Sequence, residues 1–521
     1  MEQSAHSLSF FQNLKEQRIC HQNKVTEWGV ILIMEAKSFE SFRRSWLIVI
    51  FSLALGFFFD FLIFDKIPGL GLALFIGLIA GFFVFLAIYL KRPIKADVMW
   101  LIPLLLFFAA MVAVRANPLL IALNILGCML LLLLIAEVSV RGSVRQFVPV
   151  DYLKVLLSPF LFIKPLLQTG SDVLSVRTRY GDQKKLTQIL RGIVITLPVV
   201  IIFGFLFASA DPVFNKYATG LVSFNLEEET IARLILILVV TVVLTGAYGY
   251  SFTGSPFSWG RQDNGRRPIG QLETSILLGS VNVLFLGFIL IQIAYLFGGE
   301  SYITAQGFTY AEYARRGFFE LIAIAILSYL ILFGVEKFVE RDGDHPRAFK
   351  ILSSVLVLQV VIIMASAFYR LSLYEQAFGF TTLRLYSHAF IIFLAVVFSF
   401  LLYKILIENK DNTFAFRTFL AIVVFLGVMN VFNPDAFIAR KNLERFNSTG
   451  KIDTPYLLTL SADATPVSIV ALDIPDENIK KEAEIHFLNR LQNNLSREQK
   501  WQSWNLSRAR ENSLIKEREL K

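Results

Sequence analysis

The chain of 521 residues is 55% hydrophobic and only 17% charged, with a mean hydropathy of +0.59, where a soluble globular chain carries about 25% charged residues. Its apolar residues fall in blocks of about 20, the helical length that crosses a hydrocarbon core, which argues against a soluble fold and against a β-barrel built from strands of about 10. The formal charge of +9 is spread over many short loops, the signature of a membrane surface and not of a nucleic-acid platform, and Cys20 and Cys128 alone make neither a disulfide framework nor a thiolate metal cluster.

Residues 1–44 are a polar leader whose longest apolar run, Trp28 to Met34, is too short for a signal peptide and has no small-residue cleavage site after it. Two readings stand side by side: a disordered cytoplasmic leader, or an extension ahead of a second start at Met34. Eleven spans follow in a transmembrane domain over 45–432, at 45–64, 69–90, 98–114, 118–136, 189–208, 231–251, 275–297, 318–339, 349–369, 387–407 and 414–432. The expected architecture is all-α, a polytopic transmembrane helical bundle.

Between the fourth and fifth spans, residues 137–188 carry eight basic residues and the broken apolar stretch VLLSPFLFIKPLL at 155–167. Such a segment lies in the interface as a basic cytoplasmic loop held by anionic lipid, with a re-entrant element lining a pathway as the alternative. The leader, this loop, Lys91/Arg92/Lys95, Arg261/Arg266/Arg267 and Arg341/Arg347 concentrate basic charge on one side, so the N-terminus is expected in the cytoplasm. An odd number of spans then puts the tail, 433–521, outside.

Inside the spans Asp60, Asn124, Asn282, Gln292, Glu320 and Gln359 are polar. The amides read best as interhelical hydrogen-bond glue, and Asp60, near its span's end, as hydrated. His388 reads as a hydrogen-bonded packing residue and not as a ligand. In TYAEYARRGFFEL, Thr309 and Glu312 fit a capping box, which carries a helix from outside into the eighth span with Glu312, Arg316 and Glu320 along one face. In RLSLYEQAFGFTTLRLY, Arg370 is expected where the ninth span ends, Gly379 at the turn, Thr381 or Thr382 at the next helix start and Arg384 in its first turn. The outer rim thus gathers Arg315, Arg316, Arg370 and Arg384, with Glu312, Glu320, Glu375 and Asp211 as counter-charges.

In the tail, residues 433–466 are expected to dock on that rim by charge-assisted hydrogen bonds, and the region beyond Asp473 to be held less firmly. Asp473 caps a helix with Pro475 in its first turn and an apolar stripe of Ile485, Leu488 and Leu491; a second helix contains Trp501 and Trp504.

The segments ASADPVF (208–214), YAEYARRGFFEL (310–321), RLSLYEQAFGFTTLRLY (370–386), NPDAFIARKNLERF (433–446) and DTPYLLTLSADATP (453–466) resemble those of an uncharacterised bacterial polytopic membrane-protein family, the domain of unknown function family 4173. Lys441 departs from the family's frequent aromatic. The resemblance runs from about residue 45 to the end and implies a bacterial cytoplasmic-membrane protein with no established activity.

No nucleotide-binding, zinc-protease or serine-hydrolase motif is present, and no cofactor or metal is expected. Three function classes remain open. Sensing or regulation through the outer face and a protein partner leads; a transporter or channel for a small or anionic solute would need polar residues converging near the midplane; an envelope enzyme on a lipid-linked substrate would need an interfacial carboxylate or His pair. The candidate site is the outer-rim network of Asp211, Glu312, Arg315, Arg316, Glu320, Arg370 and Arg384.

Overall fold

A computed structural model describes residues 40–175, 228–254, 270–297, 318–338, 346–408, 410–497 and 500–518, with scattered positions between 200 and 214. Among the described residues all regular structure is helical, and ten helices are long and apolar enough to cross a membrane. They are α1 (Glu40–Leu62), α2 (Leu70–Tyr89), α3 (Ala96–Val114), α4 (Pro118–Arg141), then, after short α5 (Pro149–Val155), α6 (Ser158–Leu161) and α7 (Ile163–Ser175), α8 (Glu228–Thr253), α9 (Gln271–Phe297), α10 (Phe318–Phe338), α11 (Arg347–Phe378), α12 (Thr382–Leu406) and α13 (Asp411–Phe432). The all-α polytopic bundle is what the hydropathy implied. The span expected at 189–208 falls largely outside the described residues, as does the capping box of Thr309 and Glu312.

One compact unit comprises α1, the part of α2 from Leu78, and α6 to α8. Small residues on α8 let its neighbours approach: a Cβ added at Gly246 would lie 3.0 Å from the Phe162 carbonyl oxygen, and one at Gly249 3.1 Å from Thr169 Oγ1. The stretch 155–167 accordingly runs from the end of α5 through α6 into α7, and α6 and α7 fold against α8. Asp60, expected to be hydrated, instead lies 3.7 Å from the guanidinium of Arg233, because α8 brings an arginine to the level where α1 ends. Tyr248 Oη donates to the Ile79 carbonyl at 2.9 Å.

The second unit holds residues 65–77, 95–157 and 256–521. Here α3 and α4 form a hairpin through Arg115–Asn117, with the Asn117 side chain accepting from Leu120 N (3.0 Å) and Pro118 opening the helix, a polar cap followed by a residue with no N–H to lose. α13 meets α4 through a reciprocal amide pair, Asn124 and Asn430, each Nδ2 donating to the other's Oδ1 at 2.8 Å. α9 to α12 and the start of α13 share one apolar core that includes Leu278, Leu332, Phe349, Leu356, Phe398 and Phe414.

α11 runs on to Phe378, so Arg370 is not where the helix ends but two turns earlier and buried. The residues after it, LSLYEQAF, continue to favour helix until Gly379 takes a φ of +83°, which glycine tolerates without penalty. Thr381 is the N-cap residue of α12, yet its side chain makes no capping bond; the first turn is tied instead by Tyr456, whose hydroxyl accepts from Thr382 N at 2.7 Å.

The regular structure of the tail's described residues is helical: α14 (Pro434–Thr449), α15 (Thr454–Thr459), α16 (Thr465–Ser468), α17 (Glu477–Arg497) and α18 (Leu506–Glu517). These surround a core of Ile438, Leu457, Leu472, Ala483, Phe487 and Ile515, onto which Phe380 and Leu385 pack. The cap of α17 is Asp476, whose Oδ1 accepts from Asn478 N (2.9 Å), and not Asp473, which holds Arg518 at 2.7 Å. Nor is the region beyond Asp473 loosely held. Asn505 Nδ2 donates to the carbonyls of Val112 (3.1 Å) and Arg115 (2.9 Å), Ser507 Oγ to Val114 O (2.8 Å), and Trp504 O accepts from Leu70 N (2.9 Å).

Two predictions follow from this docking. A Cβ added at Gly69 would sit 2.5 Å from Trp504 O and 3.0 Å from Ser503 O, so Gly69→Ala must push the tail off the start of α2. A loss of about 1–3 kcal/mol is expected, seen as a lower melting temperature in detergent and faster proteolysis of the tail. His486 on α17 has its pKa lowered, first by burial and then by Arg490, with Glu511 opposing. The unfolded tail therefore binds a proton more readily, stability is complete above the ordinary value of 6.5, and it falls as the pH drops through the window below that value. Melting curves recorded across that window should show the decline in the native chain and a flatter response in His486→Gln.

Candidate functional site

Charged and polar groups inside a bilayer are costly, so their burial marks where the chain has use for them. In the second unit they form three layers on α9 to α13. At one end, Lys404 of α12 has its ammonium 2.6 Å from Glu336 of α10 and 2.5 Å from Asp411 at the start of α13. The Lys404 and Glu336 side chains are 2% and 1% exposed, while Asp411 is half open to solvent. The rings of Phe333 and Phe414 lie 5.7 and 5.5 Å from the same ammonium, within cation–π range.

The middle layer is a polar seam between α9 and α11. Asn282 Nδ2 donates to Leu278 O (2.7 Å) on its own helix and Leu352 O (3.1 Å) across the seam, Gln359 Nε2 donates to Asn282 O (3.1 Å), and Ser366 Oγ to Gln292 Oε1 (2.5 Å). Partners advance together along both helices, so α9 and α11 are parallel, with α10 as the return. The amides are interhelical glue, as their sequence context implied. Asn282 and Gln359 donate to backbone carbonyls, however, and Asn282 Oδ1, Gln359 Oε1, Ser353 Oγ and Thr274 Oγ1 are buried without a hydrogen-bond partner among the described residues. Such oxygens are suited to accept from water or to face a cation.

At the other end His388 of α12 lies between two acceptors: Nδ1 is 3.3 Å from Glu375 Oε1 and Nε2 is 3.1 Å from the Phe368 carbonyl. Glu375 is 3% exposed, and Phe368 packs on the imidazole with centroids 4.2 Å apart. His388 is thus a hydrogen-bonded core residue, with a carboxylate partner that its sequence context did not reveal.

Four of the seven rim residues, Asp211, Glu320, Arg370 and Arg384, are described. Glu312, Arg315 and Arg316 lie outside the described residues. Asp211 belongs to the first unit and caps its own turn, accepting from Val213 N (2.7 Å) and Phe214 N (3.3 Å). Glu320 is exposed in the first turn of α10, and Arg370 is buried five residues before Glu375. Arg384 donates to the Gly379 carbonyl and lies 4.0 Å over the Tyr374 ring. Glu375, offered as a counter-charge to the arginines, faces His388. Glu336 and Lys404 were missed altogether; each lies three residues inside the end of an apolar block, a signal that was legible had the two been considered as a pair.

A family model described as a domain of unknown function, DUF4153, matches residues 101–470. All five segments that carried the resemblance fall within it, and it corrects the family's number, which the resemblance gave as 4173. No curated protein and no solved structure matches the chain.

The Lys404 cluster yields a direct expectation, because removing one member of a buried pair strands the other. Glu336→Gln or Lys404→Met alone should cost about 3–5 kcal/mol, whereas Glu336→Leu combined with Lys404→Met should recover most of it. Thermal unfolding of the four proteins in one detergent measures the difference. Equal melting temperatures across the set would mean that the pair is not closed.

Proposed function

The chain belongs to the family of the domain of unknown function DUF4153, and from that premise we propose that it is a multi-pass membrane protein that passes protons or small monovalent cations through helices α9 to α13. The observation that carries this reading is the polar seam of Asn282, Gln359, Ser366 and Gln292, on helices that also carry Glu336 with Lys404 and Glu375 with His388. Polar groups converging between spans are what a transporter needs, and the buried oxygens of Asn282, Gln359 and Ser353 without a partner among the described residues go beyond what interhelical glue uses. The seam oxygens are neutral, which favours a monovalent cation or a proton-carrying water over a divalent ion with its demand for carboxylates.

The sensing alternative rested on the tail and rim as a receptive outer face. It is weakened because the tail's polar groups are consumed in holding the span loops. The enzyme alternative would draw on Glu375, His388 and Ser372, whose Oγ lies 3.3 Å from His388 Nε2; it is weakened because that hydroxyl donates to the Phe368 carbonyl of its own helix at 3.0 Å, the same oxygen that His388 Nε2 faces at 3.1 Å.

Orientation is part of the proposal: a bacterial cytoplasmic membrane, N-terminus inside, tail outside, the basic loop 137–188 on anionic lipid. The basic-loop asymmetry supports it, and so does parity. The tail bonds the turn at 115–117 through Asp463 and the turn after α11 through Asn442, which accepts from Phe380 N at 2.7 Å. Both turns then share one side, and an even number of crossings separates them. α4, α8, α9, α10 and α11 give five, and the sequence reading of a span at 189–208 makes six.

Purified protein in liposomes carrying proton, sodium and potassium reporters, with an imposed membrane potential, tests the reading. We expect flux above that of protein-free liposomes, lost in Asn282→Leu and Gln359→Leu variants that still elute as a single species. No flux of any of the three ions at either polarity overturns it.

A further inference from the structure

We propose that residues 501–506 of the tail form a membrane-interface anchor, with Trp501, Trp504 and Leu506 inserted among the lipid headgroups at the outer end of α2. The segment reads WQSWNL, and its burial is inverted relative to a water-facing loop. Gln502, Ser503 and Asn505 are buried at 6%, 2% and 0% exposure, while Trp501, Trp504 and Leu506 stand 51%, 41% and 47% exposed. In water the apolar side chains would turn in and the amides out.

The inversion has a cause in the hydrogen bonds. Ser503 Oγ accepts from Ile67 N (3.1 Å), and the two bonds from Asn505 Nδ2 to the carbonyls at the end of α3 hold the same strip. With its polar side chains spent on the ends of spans, the strip can only present its apolar ones outward. What they meet is set by depth. Trp504 O accepts from Leu70 N, and Leu70 is the first residue of a 20-residue apolar helix, whose length of about 30 Å equals the hydrocarbon thickness. Trp504 therefore sits level with the edge of the hydrocarbon, where an indole keeps its ring in the apolar boundary and its N–H in the wet headgroup layer. Leu74, one turn into the same span, is itself 42% exposed and continues the lipid-facing surface downward. Lys500 and Arg508 flank the strip, but Lys500 pairs with Asp65 at 2.9 Å and Arg508 donates to Ser503 O at 2.7 Å, so the anchor is apolar and does not depend on anionic lipid.

The experiment uses the full chain with Trp28, Trp46, Trp100 and Trp259 replaced by Phe, leaving Trp501 and Trp504 as the reporters, in nanodiscs of phosphatidylcholine. Emission should be shifted to the blue of that in urea, and lost more strongly with lipids brominated near the headgroup than with lipids brominated deep in the chain. The loss should be the same in phosphatidylcholine and in a mixture with phosphatidylglycerol. Trp501→Ser with Trp504→Ser in the otherwise native chain, which removes no buried group, should leave the melting temperature in detergent unchanged while lowering it in nanodiscs. Quenching by aqueous iodide without quenching by either brominated lipid places the strip in water and overturns the anchor. Quenching by neither agent places it against protein and overturns it equally.

Discussion

Asp463 is the residue on which the second unit closes. Its carboxylate, 3% exposed, accepts from Ala116 N (2.9 Å), Asn117 N (2.8 Å), Ser461 Oγ (3.3 Å) and Ser507 Oγ (2.5 Å), with the Arg115 guanidinium 3.9 Å away. Those donors come from the turn between α3 and α4, from the tail's own loop before α16, and from the start of α18. The turn's free N–H groups would otherwise be stranded at the membrane edge, and a carboxylate that accepts several N–H and O–H bonds is among the strongest ways to satisfy them. Asp435 repeats the device next door, accepting from Asn117 Nδ2 (2.9 Å) and Ser461 N (3.1 Å). From these two acids follow the position of the tail, the spacing of α3 from α13, and the level at which the tail meets lipid.

This arrangement explains why the tail is not a soluble domain on a tether. Its apolar core is completed by Phe380 from the α11–α12 connection and Leu385 from the first turn of α12, and Arg445 donates to the carbonyls of Gln376 (3.3 Å) and Ala377 (2.7 Å) in the last turn of α11. Positive charge at the carbonyl end of a helix is favourable for its dipole. The tail thus uses cations on helix C-termini and anions on free N–H groups, each matched to the backbone group in front of it.

The spans were legible because twenty apolar residues in a row have few other fates, and Gly379 because a turn between two helices needs a residue that accepts positive φ. The amide glue was legible for the same reason of cost: Asn124 in hydrocarbon has to find a partner, though that it would be Asn430 was not in the local pattern. What the sequence hid was the choice among partners. Reading charges by sign sends Asp463 and Asp435 toward arginines, whereas folded geometry sends them to backbone N–H and side-chain amide groups that no charge count records. Likewise Trp501 and Trp504 look like core by composition; only their fixed backbone, bonded at Ser503 and Trp504 to the start of α2, turns them outward.

The same distinction bears on the buried pairs. An ion pair in low dielectric barely repays its desolvation, and two apolar residues in its place are often as stable. Lys404 with Glu336, and His388 with Glu375, are therefore poor explanations of why α10 to α12 stay together, a task that Leu332, Phe349, Leu356 and Phe398 already perform. Asn282 and Gln359 sharpen the point, since each leaves an acceptor oxygen unsatisfied where a leucine would leave nothing. On the proposed reading, polar groups that cost stability are what a path through the bundle would use, and here they lie on helices of one apolar core. The tail fixes the turn from which α12 begins, through Asn442 on Phe380 and Tyr456 on Thr382, and so bears on the register in which His388 of α12 meets Glu375 of α11.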